Sequence, residues 1–174
     1  MPETWIFIIG GIVIAFIILL ISYTLISNAV NLSERQTALG EYSKLFTDIQ
    51  SVCLGEVNNS IGPQKYLVPF SVKILYATNV TNETVFPFVD KIKNLETSSG
   101  SYLCLQFKDE KELRCLPEKP ESMYCNVTMP YLGALPETED IWMMVNKILG
   151  KPRIKEYYLL IKKAGPDEIN ISVG

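Results

Sequence analysis

The segment from Trp5 to Ile26, WIFIIGGIVIAFIILLISYTLI, contains no charged residue, and nothing else in the chain restricts its fold so strongly. At about 1.5 Å per helical residue it reaches roughly 33 Å, enough to cross a hydrocarbon core of about 30 Å. In lipid every backbone amide must find its partner inside the segment, so the segment has to be helical. A cleaved secretory signal would carry a basic start, a shorter core and a small-residue cleavage site. Here Pro2, Glu3 and Thr4 precede the core, and Ser27-Asn28-Ala29 is a poor cleavage triplet, so the segment is expected to remain as an anchor.

The residues after the anchor indicate which side of the membrane they occupy. Asn31, Asn58, Asn79, Asn82, Asn126 and Asn170 all stand in Asn-x-Ser/Thr triplets with no proline in the middle. At this Ser and Thr content, the ten asparagines would give about 1.3 such triplets by chance. The excess reads as N-glycan acceptors, which work only outside the cytosol. Arg35 and Lys44 lie after the apolar segment and no Lys or Arg lies before it, which by the positive-inside rule would put the C-terminal side in the cytosol. Those two basics are interleaved with Glu34 and Glu41 and weigh less than six acceptor triplets.

The four cysteines, Cys53, Cys104, Cys115 and Cys125, all lie beyond the anchor and are even in number, consistent with an oxidising compartment. No C-x-x-C pair and no histidine is present, so no metal site is expected. In YLCLQFKDEKELRCL, Cys104 and Cys115 are equidistant from Asp109-Glu110. A hairpin turning there sets them opposite each other, about 4.5 to 5.5 Å apart at Cβ, within bridging range. Cys53 is then left for Cys125, although four cysteines permit three connectivities.

From Ser33 onward, Ala38, Leu39, Tyr42, Leu45, Phe46, Ile49, Val52 and Cys53 recur at three- and four-residue steps, which predicts an amphipathic helix with one face on a core. Ser33 with Gln36 has the pattern of a capping box. Yet no Pro or Gly lies between Ile26 and Ser33, so one helix is expected from the anchor to near Gly55, with Gly40 costing about 1 kcal/mol relative to Ala. The chain then turns to strands: FSVKILYAT with Val72, Ile74 and Tyr76 on one face, VFPFVDKIKNL as a poorer edge strand, the Tyr102–Leu116 hairpin, and YCNVTM. PETEDIWMMVNKILGKP carries helix boundary signals, Pro136 at its start and Gly150 and Pro152 at its end. RIKEYYLLIKK and EINISV close the chain, with Ile169, Ile171 and Val173 facing in and Asn170 facing out.

The expected class is α+β: a long N-terminal helix packed on a mostly antiparallel sheet domain with one short extra helix. The parts are residues 1–27 as an apolar transmembrane helix, 28–56 as its amphipathic continuation and 57–174 as a β-rich extracytoplasmic domain. The roughly 150 residues after the anchor suit one ordinary domain.

This order, an apolar helix running into the amphipathic LSERQTALGEYSKLFTDIQSV and then a disulfide-bearing β domain, resembles the type IV pilin and archaeal pilin-like class. The resemblance covers the whole chain as architecture. It implies that the apolar half-helices bundle into a filament core while the β domains form the surface. The short basic leader and the fifth-position Glu of that class are not matched; the nearest acid is Glu3. Acceptor triplets without a required upstream acid would, by the same resemblance, suit an archaeal or eukaryotic surface protein.

Gly11 and Ala15 form a small-xxx-small pair that Gly10 widens, a notch where another membrane helix approaches closely. The basic run Lys151, Arg153, Lys155, Lys162 and Lys163 reads as solvated strand-end charge. With no histidine, Ser-His-Asp and Cys-His nucleophiles are excluded, and no phosphate-binding or nucleophile-elbow motif occurs. The carboxylate pairs Asp109-Glu110 and Glu139-Asp140 read as a turn and a helix start. A net charge of -3 with interspersed signs gives no nucleic-acid footprint. The expectation is a non-enzymatic surface protein without cofactor or small-molecule substrate. Either it is a filament subunit self-associating through its N-terminal helix, or it is a single-pass anchored binding or accessory subunit of a membrane complex.

Overall fold

A computed structural model describes residues 2–80, 100–117, 123–133 and 154–174, with the side chains of residues 2–4, 6, 79 and 80 outside that description. The first element, α1 (Pro2–Leu54), is one uninterrupted helix of 53 residues, about 80 Å long. Its apolar half has no breaker beyond Gly10 and Gly11, and the chain carries on through Ser33 without a new cap. The helix stops at Gly55, whose N–H bonds back to the Val52 carbonyl at 3.2 Å, and the chain turns through Asn58, which has a φ of 75°.

Beyond that turn the described residues contain seven strands: β1 (Ser60–Pro69), β2 (Val72–Val80), β3 (Gly100–Phe107), β4 (Arg114–Leu116), β5 (Asn126–Thr128), β6 (Ile154–Gly165) and β7 (Glu168–Val173). They form two sheets, one ordered β1-β6-β7-β5 and one ordered β2-β3-β4. Their pairings are antiparallel except for β5 with β7, which run parallel. The fold is α+β, as the sequence indicates, with the strands shared between two sheets. The short helix expected at 136–149 and the edge strand expected at 85–95 lie outside the described residues.

The upper half of α1 packs mainly on β1 and β6. Ala38, Tyr42, Leu45, Ile49, Val52 and Cys53 are buried, so the three- and four-residue stripe is the face that meets the sheets. Opposite it lie Tyr66, Val68, Leu103, Leu105, Phe107, Leu159, Ile161, Ile169 and Ile171 in one continuous core. Each fully buried Leu or Ile contributes roughly 1.5–3 kcal/mol of transfer free energy. A smaller cluster of Tyr76, Tyr102 and Cys104, with Ile74, Leu113 and Cys115 against it, covers the other face of the three-stranded sheet.

Three details differ from the sequence reading. β1 contains Gly62 and Pro63, which break any alternation; Gly62 has a φ of 112° and a side chain there would collide with the Leu159 carbonyl, so a bulge forms between Ile61 and Gln64. In β2 a second bulge, between Val72 and Ile74, shifts the alternation. Val72 and Leu75 consequently face the main core, while Ile74 and Tyr76 face the smaller one. Val173, expected to face in, is 50% exposed, because β5 flanks β7 only as far as Asn170 and nothing among the described residues covers the end of that edge.

Candidate functional site

The largest unsatisfied feature is the lower half of α1. From Phe7 to Ile26 the side chains are exposed apart from half-exposed Gly10, with Trp5 at 67% and Phe7 at 79%. α1 is the one helix among the described residues long and apolar enough to cross a membrane, with a mean hydropathy of 2.7 in its most apolar window. A side chain built at Gly10 or Gly11 would meet nothing within 4 Å, and Ala15 is exposed beside them, so the expected notch faces outward. Water cannot tolerate an apolar cylinder of this size; lipid or neighbouring helices can.

The upper half is tied to the domain by a series of clamps. Near its base, Arg35 Nη2 donates to Asp109 Oδ1 and Oδ2 at 3.0 Å and to Glu110 Oε1 at 2.9 Å. Its guanidinium also sits 5.1 Å from the Phe107 ring centre. The Asp109-Glu110 turn is therefore a docking point for the helix. Each such exposed pair contributes only about 0.2–1 kcal/mol. Two turns up, the Tyr42 hydroxyl donates to the carbonyls of Leu103, at 2.6 Å, and Arg114, at 3.0 Å, holding the β3–β4 hairpin. Tyr66 donates to Asp48 Oδ2 at 2.7 Å. Burial pushes the phenol pKa of Tyr42 and Tyr66 well above the ordinary tyrosine value, and burial with Tyr131 alongside pushes Tyr76 up to about 12.

At the far end the helix carries no basic residue in its last turn. Lys163 of β6 takes that place: its Nζ donates to the carbonyls of Cys53 and Gly55, both at 2.7 Å, and the residue is 7% exposed. The sequence reading of Lys163 as solvated charge is thus overturned. A cation at the negative end of a helix dipole satisfies carbonyls that have no intrahelical partner. The signal is the alternation in RIKEYYLLIKK, where Lys163 shares a face with Leu159 and Ile161. Lys162 is exposed and Lys155 half-buried over the Tyr157 ring, whereas Lys151 and Arg153 lie outside the described residues.

One disulfide ties the helix to the domain and the other braces the β3–β4 hairpin. Cys53 is bonded to Cys125, Cα atoms 5.9 Å apart, fixing the helix end to the segment before β5. Cys104 is bonded to Cys115, its direct partner in the β3–β4 ladder, Cα atoms 4.1 Å apart. Beside the first bond, a crevice of about 80 Å³ lies among Ile49, Gln50, Leu54, Met123, Tyr124 and Val127. It has no charged lining and falls far below the roughly 300–1,000 Å³ of ligand pockets. Among the described residues no three His, Cys, Asp or Glu side chains gather as metal ligands.

Four of the acceptor asparagines are exposed among the described residues. Asn31 is exposed on α1, seven residues before Ala38 and so on the packed face of the helix, below the domain and about 8 Å above Ile26. Asn58 is exposed in the turn after α1; Asn126 and Asn170 are exposed on β5 and β7. Asn79 lies in β2 opposite Ser101, and Asn82 is outside the described residues. No protein-family model matches the chain, and neither does any curated protein or solved structure.

Proposed function

We propose that this chain is a non-enzymatic surface protein, a pilin-like subunit of an extracellular filament. It assembles through its apolar N-terminal helix and exposes an N-glycosylated, disulfide-bonded β domain outside the membrane. The observation that carries this reading is the unbroken α1, half of which is packed by the chain's own domain while the other half is left uncovered.

A second feature supports assembly over simple anchoring. A helix face turned to water ordinarily carries charges. Between Asn28 and Leu54 the exposed residues include only one charged side chain, Lys44, and its Nζ lies 5.0 Å from the Tyr66 ring centre. Steps of three and four residues lead from Gly11 and Ala15 through Ala29 to Gly40, Ser43 and Leu54 without meeting a charge. One outward stripe of α1 therefore continues the notch above the membrane, uncharged and with the small Ala29, Gly40 and Ser43 along it, suited to another helix.

The test is negative-stain microscopy of material sheared from cells expressing the full chain, with the chain identified by mass spectrometry. Filaments containing it are expected. A chain found only as a monomer in the membrane fraction would replace this reading with a single-pass accessory subunit.

A further inference from the structure

Three acceptor triplets meet in one transverse row of the four-stranded sheet. Ser60 of β1 pairs with Lys162 of β6, Lys162 pairs with Asn170 of β7, and Asn170 pairs with Thr128 of β5. Directly paired residues share a face. All four are exposed, while the neighbouring Ile161, Ile169, Ile171 and Val127 are buried on the opposite face. The row thus contains the hydroxyl of the Asn58 triplet, the asparagine of the Asn170 triplet and the hydroxyl of the Asn126 triplet.

Asn126 stands two residues before Thr128 on the same face, so strand spacing and rise put it about 8 Å from Asn170. Asn58 precedes Ser60 in the turn at the same end. That end is held together by the Lys163 N–H donating to the Asn59 carbonyl at 2.9 Å and the Asn126 N–H donating to the Asp167 carbonyl at 2.7 Å. Sequence places these triplets far apart; only the strand register gathers them around Lys162.

We propose that Asn58, Asn126 and Asn170 carry N-linked oligosaccharides as a set, and that they close this end of the outer sheet face to protein contacts. The proposal rests on the extracytoplasmic placement above but not on polymerisation. The co-reactant is an oligosaccharide carried on a polyprenyl phosphate. The asparagine Nδ2 attacks C1 of its first sugar, and a C1–N bond forms as the bond from C1 to the phosphate oxygen breaks. The lipid phosphate leaves with the electron pair, and one Nδ2 proton passes to a base. Partners, including other copies in a filament, must then approach from elsewhere, and the outward stripe of α1 lies on a different side of the domain.

The experiment uses the full chain expressed in a eukaryotic cell and extracted from its membranes in detergent. Glycopeptide mapping is expected to find carbohydrate on all three asparagines; any of the three left unmodified in most molecules overturns the set. Coverage is read separately by acylating lysines with a bulky active ester, before and after enzymatic removal of the glycans. Because a glycan is bulky and surface-filling, Lys162 should react on the order of fivefold faster once it is removed, with Lys73 of the other sheet unchanged. Equal Lys162 rates would overturn the coverage. Neither readout depends on a variant folding, and filaments built from unglycosylated chains would refute this proposal, and the glycosylation in the proposed function with it, while leaving assembly through the N-terminal helix standing.

Discussion

From Phe7 to Ile26 the side chains of α1 face outward in every direction, whereas from Glu34 to Cys53 one face is buried against two sheets and the other carries almost no charge. In the lower half nearly every position is apolar and none is charged, and hydropathy does not distinguish a lipid-facing side from a helix-facing one. In the upper half the period of 3.6 points straight at the partner surface. The same helix thus declares what it packs on in one half and conceals it in the other, where only side-chain size, as at Gly10, Gly11 and Ala15, carries information.

The contrast is broken most strongly at the top of the helix. Replacing Cys53 and Cys125 together by Ala releases a loop with a sequence separation of 72, and the domain should lose about 4 kcal/mol in denaturant unfolding of detergent-solubilised chain. Ile49 is 0% exposed, so Ile49→Ala should cost about 3 kcal/mol in the same assay, while Ile18→Ala, 59% exposed in the lower half, should leave domain stability unchanged. Equal effects of the two isoleucine changes would mean that the halves are not independent.

Lys163→Met tests the helix end. It keeps the length of the stem but leaves two carbonyls without their cation, and a loss of about 2 kcal/mol is expected, read as a lowered urea midpoint. The last contrast comes with pH. Tyr76 is held neutral with its pKa raised to about 12, so its contribution is complete below the ordinary tyrosine value of about 10 and disappears as pH rises through 12. Melting temperature should fall between those values in wild type and fall less in Tyr76→Phe.

Much of this architecture is legible in the chain itself. The long apolar helix, the buried stripe from Ala38 to Cys53 and the helix end at Gly55 come directly from hydropathy and period. The Cys104–Cys115 rung comes from symmetric spacing about Asp109-Glu110. The features that sequence conceals are set by long-range register. β1 hides behind Gly62 and Pro63, the β2 bulge moves Leu75 to the core, and the parallel pairing of β5 with β7 joins distant segments. The acceptor triplets are readable one by one, and the β6–β7 hairpin is local, but their convergence on Lys162 also depends on the β1–β6 and β5–β7 pairings, which no local pattern predicts. For Lys163 the alternation shows an inward face shared with Leu159 and Ile161, but not its partner, since the helix end is brought beside it only by the tertiary fold.

The central claim is that the uncovered half of α1 is an assembly surface, and Gly11→Leu addresses it most directly. Leu fills the notch where a neighbouring backbone would sit, yet lipid accommodates it as readily as Gly. Filament yield from cells is compared with wild type, with circular dichroism confirming that the domain is folded. Filaments should be lost while the folded protein stays in the membrane; filaments formed at the wild-type level would contradict assembly through this half of the helix.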